Sequence, residues 1–233
     1  MPVIFDLDGT LVDPAGGITD GIAAALSELG LPIPGQDLLE AMIGPKLSDS
    51  LLNVAMVPAH MLDDAIRIYR LYYLETGISQ GRLYPGILDV LDNFAAAGRQ
   101  VAVATQKPEG LANTVLEHHG IADLFRFIRG SADDESAAAA GPVGKTGIIA
   151  TALGDLSTHH AVMVGDRAQD VAGAIANGLD CIGVSWGFAP EGELQDAGAV
   201  TVVDTAPDLV AAIERLEAIH AAAMSEVQND GTV

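Results

Sequence analysis

The sequence predicts an α/β protein, a doubly wound parallel sheet with a helical domain inserted into it, and three observations carry the prediction. From about residue 86 onward, short apolar runs alternate with helix-length segments, the pattern of parallel strands covered on both faces. One such run, Val3-Ile4-Phe5, stands apart near the N-terminus and closes on Asp6-Leu7-Asp8-Gly9-Thr10. Between the two, residues 17 to 77 carry helical periodicity and no strand pattern.

In chain order, Val3-Ile4-Phe5 followed by Asp and Gly reads as an interior strand entering a loop. Ile18, Ile22, Ala25, Leu26 and Leu29 then recur at helical spacing, and Gly30 is the stop. Helices are expected from about Gln36 to Met42, Leu47 to Met56 and Ala59 to Glu75, the last with Ile66, Tyr69, Tyr73 and Leu74 on one side. The Tyr69, Tyr72, Tyr73 cluster reads as packing. After Tyr84-Pro85-Gly86 come helix 86 to 97, strand Val101 to Ala104, helix 108 to 119 and strand Phe125 to Arg129. Helix 145 to 153, strand Ala161 to Val164, helix 168 to 177, strands Cys181 to Val184 and Val200 to Val203, and helix 207 to 223 complete the alternation. The helical block is an insertion joined by linkers near Val12 to Gly16 and Ser79 to Gly86. The expected division is residues 1–14 and 84–224 as the α/β core, 15–83 as a helical cap and 225–233 as a flexible tail.

Composition narrows the function. The 233 residues are 49% apolar, enough for a substantial core, and the chain has no internal repeat. No apolar run approaches the ~20 residues that span a bilayer, and the N-terminus lacks the basic and apolar stretches of a secretory signal. A soluble, cytoplasmic protein is expected. A net charge of −21 disfavours nucleic acid and anionic membrane as partners, and it requires any anionic substrate to meet a local positive site. Cys181, alone and in an apolar setting, reads as a buried inert thiol. The chain has only three lysines, Lys46, Lys107 and Lys145, so each is a candidate for a placed charge.

Strand alternation sends Asp6 and Asp8 to the same side of the chain, where two carboxylates repel unless a cation or a proton lies between them. A plain turn is one reading of the segment. A calcium loop is excluded because glycine comes fourth rather than sixth. The third reading is a carboxylate nucleophile beside a carboxyl acid/base. Ala139 to Thr146 loosely resembles a nucleotide phosphate loop, but a true one follows directly from a buried strand, and here an acidic, alanine-rich stretch intervenes.

In open parallel sheets ligands bind beyond the carboxyl ends of the strands. There the expected strands deliver Asp6 and Asp8, then Thr105-Gln106-Lys107 at a helix N-terminus, then Gly165-Asp166-Arg167 with Asp170 a helical turn on. Lys145 opens the helix before that last strand. Taken singly, Thr105 is a cap, Asp166 a turn residue and Lys145 a surface charge. Taken together they suit phosphoryl transfer: a nucleophile, an acid/base, a site for Mg²⁺, and donors for the phosphoryl oxygens.

The chain resembles haloacid dehalogenase superfamily hydrolases of the phosphoglycolate phosphatase-like type, whose Rossmann-like core carries a small helical cap. The resemblance rests on Phe5-Asp6-Leu7-Asp8-Gly9-Thr10-Leu11, Ala104-Thr105-Gln106-Lys107-Pro108, Lys145, and Val164-Gly165-Asp166-Arg167 through Asp170. Tyr69 to Glu75, Leu83 to Ile87 and Gly183 to Phe188 add to it. It implies Asp6 as nucleophile, Asp8 as acid/base and Asp6, Asp8, Asp166 and Asp170 as the Mg²⁺ site, with Asp8 facing the metal through its carbonyl and Asp170 supporting from behind. It implies Thr105 and Lys145 as phosphoryl contacts, and Gln106, beside Thr105 in the second motif, is a candidate substrate-binding residue. Gly44-Pro45-Lys46 resembles a substrate-facing loop of related caps, which makes Lys46 a candidate for a second anionic group. The implied activity is hydrolysis of a small phosphorylated metabolite by a monomer or homodimer. Alternatives within the superfamily are a 5'-nucleotidase, a sugar-phosphate phosphatase or a phosphomutase. Asp8 argues against a dehalogenase or a phosphonoacetaldehyde hydrolase, and the full acid, hydroxyl and lysine set argues against a non-catalytic binding protein or a receiver-like domain. Two features depart from the family: Gly-Lys-Thr-Gly around Lys145 lacks the nearby proline, and residues 132 to 143 are alanine-rich.

Overall fold

The computed structural model describes residues 1–14, 16–132 and 144–230, with side chains through Ala223. Six strands form one sheet in the order β5-β4-β1-β6-β7-β8, every pair parallel. They are β1 (Val3–Phe5), β4 (Val101–Pro108), β5 (Phe127–Ser131), β6 (Val162–Gly165), β7 (Asp180–Val184) and β8 (Thr201–Val203). The expected α/β class and parallel sheet are therefore found.

The order explains where a site can form. The chain lays β4 and β5 on one side of β1 and β6, β7 and β8 on the other, so the direction of winding reverses at β1. A crevice opens there beyond the strand ends, because the connections on either side leave in opposite directions.

The strands are apolar almost throughout because both faces are covered. Val3, Phe5, Val101, Val103, Val162, Val164, Ile182 and Val184 belong to one core cluster. Ile4, Ala102, Ala104, Met163 and Cys181 belong to the other, packed with Ile148, Ile149 and Ala174. Successive residues thus alternate between faces. Cys181 is buried, and burial pushes its thiol pKa well up, as expected for an inert thiol.

Residues 17–80 are helical or loop, with helices at Gly17–Glu28, Gln36–Ala41, Leu47–Asn53 and Leu62–Tyr72. The last continues through a π-turn at Tyr73–Gly77 into Ile78–Gln80, past the expected end at Glu75. Gly77 permits this: a Cβ on it would lie 2.6 Å from the Tyr73 ring. The two linkers are not plain loops. They pair as a short antiparallel ribbon, β2 (Val12–Asp13) with β3 (Arg82–Leu83), giving the helical segment a two-stranded stem.

Two further expectations are corrected. The expected strand Val101 to Ala104, with Thr105 at a helix N-terminus, is longer in the structure: β4 runs to Pro108 and the helix begins at Glu109. Pairing with β5 slips between Ala104 and Pro108, so Thr105-Gln106-Lys107 remain extended while leaving the regular ladder. The last helix, expected over 207 to 223, runs on to Asp230, in one helix Ala206–Asp230. Ala221, Ala222, Ala223, Met224, Glu226 and Gln228 are good helix formers, and Gly231 is the first glycine after them. The alanine-rich stretch and most of the apparent phosphate loop lie outside the described residues.

Candidate active site

Asp6 directly follows β1, and its backbone N–H donates to the Val164 carbonyl at 2.9 Å, which ties the end of β1 to β6. The chain then turns sharply, with Leu7 O accepting from Leu11 N and Val12 N. Gly9 makes the turn at φ +88°, and a Cβ there would fall 2.1 Å from Asp166 Oδ2. Glycine is needed for the backbone angle and for the approach of the Asp166 carboxylate. Gly187 crowds that carboxylate from the other side, where a Cβ would lie 2.3 Å from the same oxygen.

Asp166 follows β6 and is fully buried. Its carboxylate accepts from Thr10 Oγ1 at 3.1 Å and from Phe188 N at 2.9 Å. Asp170 lies in the first turn of helix Ala168–Ala176; its Oδ2 accepts from Asp166 N at 3.1 Å and Arg167 N at 3.0 Å. Ligand oxygens of Asp6, Asp166 and Asp170 all lie within 4.8 Å of one another. Three buried carboxylates this close repel unless a cation is shared among them, and an all-oxygen set suits a hard divalent ion. Asp8 contributes no side-chain oxygen to that cluster.

Lys145, in the first turn of helix Gly144–Asp155, bridges the acids: its Nζ is 2.5 Å from Asp6 Oδ1 and 2.6 Å from Asp170 Oδ1. Lys107 plays a matching part that the sequence reading did not assign. Its Nζ lies 2.8 Å from Asp8 Oδ2, donates to the Tyr73 hydroxyl at 3.2 Å and lies 4.4 Å from that ring's centre. The scarcity of lysine was the signal for Lys107, and Tyr73, read as packing, carried none.

Electrostatics follow from burial. Burial raises the Asp8 pKa, with Lys107 pulling it back, and leaves Asp8 Oδ1 without a hydrogen-bond partner. Burial and the charges of Asp170 and Asp6 hold the Asp166 carboxyl well above the usual range. Burial also lifts Asp170 to about 6 against the opposing pull of Lys145. Burial works against the charge on both lysines, but the facing carboxylates outweigh it and both pKa values lie above normal.

A cavity of about 50 Å³ opens over Asp6 and Asp8. Thr105, Gln106 and Lys107 line its floor, and Tyr69, Arg70, Met42 and Gly44 reach it from the helical segment. Thr105 is buried, and its hydroxyl accepts from Lys107 N at 3.2 Å. Gln106 ties the helical segment to this floor: its Nε2 donates to the Gly44 carbonyl at 3.2 Å. Lys46 is not among the residues lining the cavity, although Pro45 and Leu47 on either side are. The cation that reaches it from the helical segment is Arg70, which the sequence reading passed over because nothing in the helical pattern distinguishes it.

A family profile described as haloacid dehalogenase-like hydrolase matches residues 3–184. The chain belongs to this family. Among its relatives, the tyrosine-protein kinase PtkA of Mycobacterium tuberculosis is 38% identical over 203 residues, 86% of this chain and 67% of PtkA. A solved structure of that protein superposes with a TM-score of 0.75, covering 91% of this chain and 96% of the other. A 5'-nucleotidase of Pseudomonas aeruginosa is 35% identical, covering 83% of this chain and 86% of that protein. A phosphoglycolate phosphatase of Yersinia pseudotuberculosis is 34% identical, covering 80% and 81%. The resemblance drawn from the motifs is thus confirmed at the level of family. Among the described residues no helix is long and apolar enough to cross a membrane.

Proposed function

We propose that this haloacid dehalogenase-like hydrolase is a Mg²⁺-dependent phosphatase that passes the phosphoryl group of a small phosphorylated metabolite through Asp6. An Asp6 carboxylate oxygen forms a bond to phosphorus while the ester P–O bond breaks, and the departing oxygen takes a proton from Asp8. Asp8 then takes a proton from water as that water attacks phosphorus, releasing phosphate and restoring Asp6. The Asp8 carboxyl is suited to carry a proton because burial raises its pKa. Lys107 holds it in place and limits the rise. Lys145 orients Asp6 from beside the cavity and Thr105 lines it, and in this reading the two supply the donors for the phosphoryl oxygens. Asp6, Asp166 and Asp170 supply the oxygen donors for Mg²⁺, with Asp170 held by Lys145 and the helix N-terminus; bound there, the ion would offset the charge of nucleophile and phosphate.

The observation that carries this reading is the pairing of each acid of the first turn with its own buried lysine, Asp6 with Lys145 and Asp8 with Lys107, at the point where the sheet's winding reverses. The substrate reading rests on size. The helical segment acts as a cap over Asp6 and Asp8, and a small ester makes the least demand on the space beneath it. This agrees with the phosphoglycolate phosphatase among the relatives. The 5'-nucleotidase and the tyrosine kinase favour a second reading, in which the cap opens for a nucleotide or a tyrosyl side chain. Phosphate release from phosphoglycolate, nucleoside monophosphates, sugar phosphates, phosphotyrosine and an aryl phosphate, each with Mg²⁺ and with chelator, tests both. Fastest Mg²⁺-dependent release from the smallest esters is expected, and a protein inert toward all of them overturns the proposal.

A further inference from the structure

The mechanism leaves one buried charge unused. Arg167 follows Asp166 directly, is 8% exposed and points away from the carboxylate cluster toward the helical segment. Its Nη1 donates to the Ile43 carbonyl at 2.6 Å, and its Nε donates to Glu193 Oε1 at 3.1 Å. Glu193 also accepts from Ala168 N at 2.8 Å, so the guanidinium is braced against the loop that carries Asp166. Gly44 adopts φ +100°, and a Cβ there would meet Arg167 Cγ at 3.0 Å, so glycine lets the loop settle onto the arginine. The next carbonyl along, that of Gly44, is held from the opposite side by Gln106, the neighbour of Thr105.

Two successive carbonyls of one loop are therefore gripped from β4 and from β6, the strands flanking β1, and Gly44 and Pro45 of that loop line the cavity over Asp6. A buried guanidinium is costly unless it is paired, and here its pairing spans the two parts of the molecule. Building on the phosphatase reading, we propose that Arg167 is a positioning residue that fastens the 43–46 loop over Asp6, so that the substrate meets a site already covered.

The fastening exists before substrate binds, so losing it reduces the fraction of molecules ready to bind. Arg167→Met is expected to raise KM for small phosphomonoesters roughly tenfold, the scale of a lost charged hydrogen bond, with kcat within about twofold and the Mg²⁺ requirement unchanged. Arg167→Lys, which keeps a donor for Ile43 O, recovers most of the loss. A second readout needs no substrate: trypsin cutting after Lys46, within the fastened loop, should be roughly tenfold faster in Arg167→Met and severalfold faster in Gln106→Leu. If Arg167→Met proves insoluble, Arg167→Gln, polar but too short to reach Ile43 O, carries the test. Unchanged Lys46 cleavage and KM, or a fall in kcat alone that Arg167→Lys does not restore, overturns the proposal. Wild-type protein inert toward phosphoesters but sensitised at Lys46 by Arg167→Met refutes the phosphatase reading and leaves the fastening standing.

Discussion

Replacing Lys145 by methionine tests the charge balance of the site. The ammonium sits 2.5 Å from Asp6 and 2.6 Å from Asp170, and Asp166 shares the cluster within 4.8 Å. At that separation and an effective dielectric near 20, each like-charge pair is worth about 3.5 kcal/mol of repulsion. Methionine fills the space but leaves the carboxylates uncompensated, and breaking a buried pair from one side costs about 3–5 kcal/mol. For a chain of this size that lowers Tm by about 6–20 °C in chelator. Without the lysine, the folded-state carboxyl pKa of Asp170 rises further above its unfolded value. The folded state then binds more protons, and the deficit should widen as pH rises from about 6 to 8. A divalent ion replaces the missing charge, and at a hundredfold excess over Kd it should return about 2.7 kcal/mol. Turnover should fall by about 10²–10³ even with saturating Mg²⁺, since a donor to the phosphoryl group is gone. Thermal melts of wild type and variant in chelator and in Mg²⁺, at both pH values, check the argument. A melt within about 2 °C of wild type in chelator, or a drop that Mg²⁺ leaves untouched, refutes it.

Three further outcomes follow from the same geometry. Asp166→Asn keeps the volume but removes one charge from the cluster, and a titration of activity should show a Mg²⁺ requirement raised at least about tenfold, since a ligand is weakened and not merely its support. Arg70→Gln should raise KM selectively for esters bearing a second anionic group, by about tenfold, while Lys46→Met leaves relative rates unchanged; equal effects on an uncharged aryl ester would contradict the placement of Arg70. Glu217, gripped by Arg99 at 2.7 and 2.8 Å, has its pKa drawn down to about 2 chiefly by that hydrogen bond. A depressed carboxyl pKa stabilises above the unfolded value and loses its effect as pH falls toward the folded one. The stability deficit of Glu217→Gln in urea should therefore be full at pH 7 and shrink below about 4.5.

The sheet was legible because its strands are buried on both faces: Val101 to Ala104 and Ala161 to Val164 are apolar without interruption, and no surface helix reads that way. Asp6, Asp166 and Asp170 could be named because topology carries strand ends to one edge whatever the side-chain details. What escaped was set by contacts between distant residues. The Val12–Asp13 and Arg82–Leu83 ribbon is two residues long on each side, too short to show alternation. The expected helix N-terminus at Thr105 is displaced because pairing of β4 with β5 resumes at Pro108 opposite Ser131, a contact with a distant strand. Lys107, Tyr73 and Arg167 acquire their roles only once the helical segment rests on the sheet, and no local pattern encodes that meeting. Arg70 lines the cavity and Lys46 does not, a difference set by how the helical segment packs and not by local pattern.

The account depends on phosphorus bonding transiently to Asp6, and acid quenching during turnover examines this directly. Wild type and Asp8→Asn are mixed with Mg²⁺ and an aryl phosphate, whose leaving oxygen needs no proton from Asp8, so that the variant slows the second step more than the first; both are quenched within milliseconds and digested for mass spectrometry. The account predicts that the peptide containing Asp6 gains the mass of one phosphoryl group, accumulates more in Asp8→Asn and is absent from Asp6→Asn. Steady phosphate release with Asp6 unmodified at every quench time, or Asp6→Asn turning over at the wild-type rate, would contradict it.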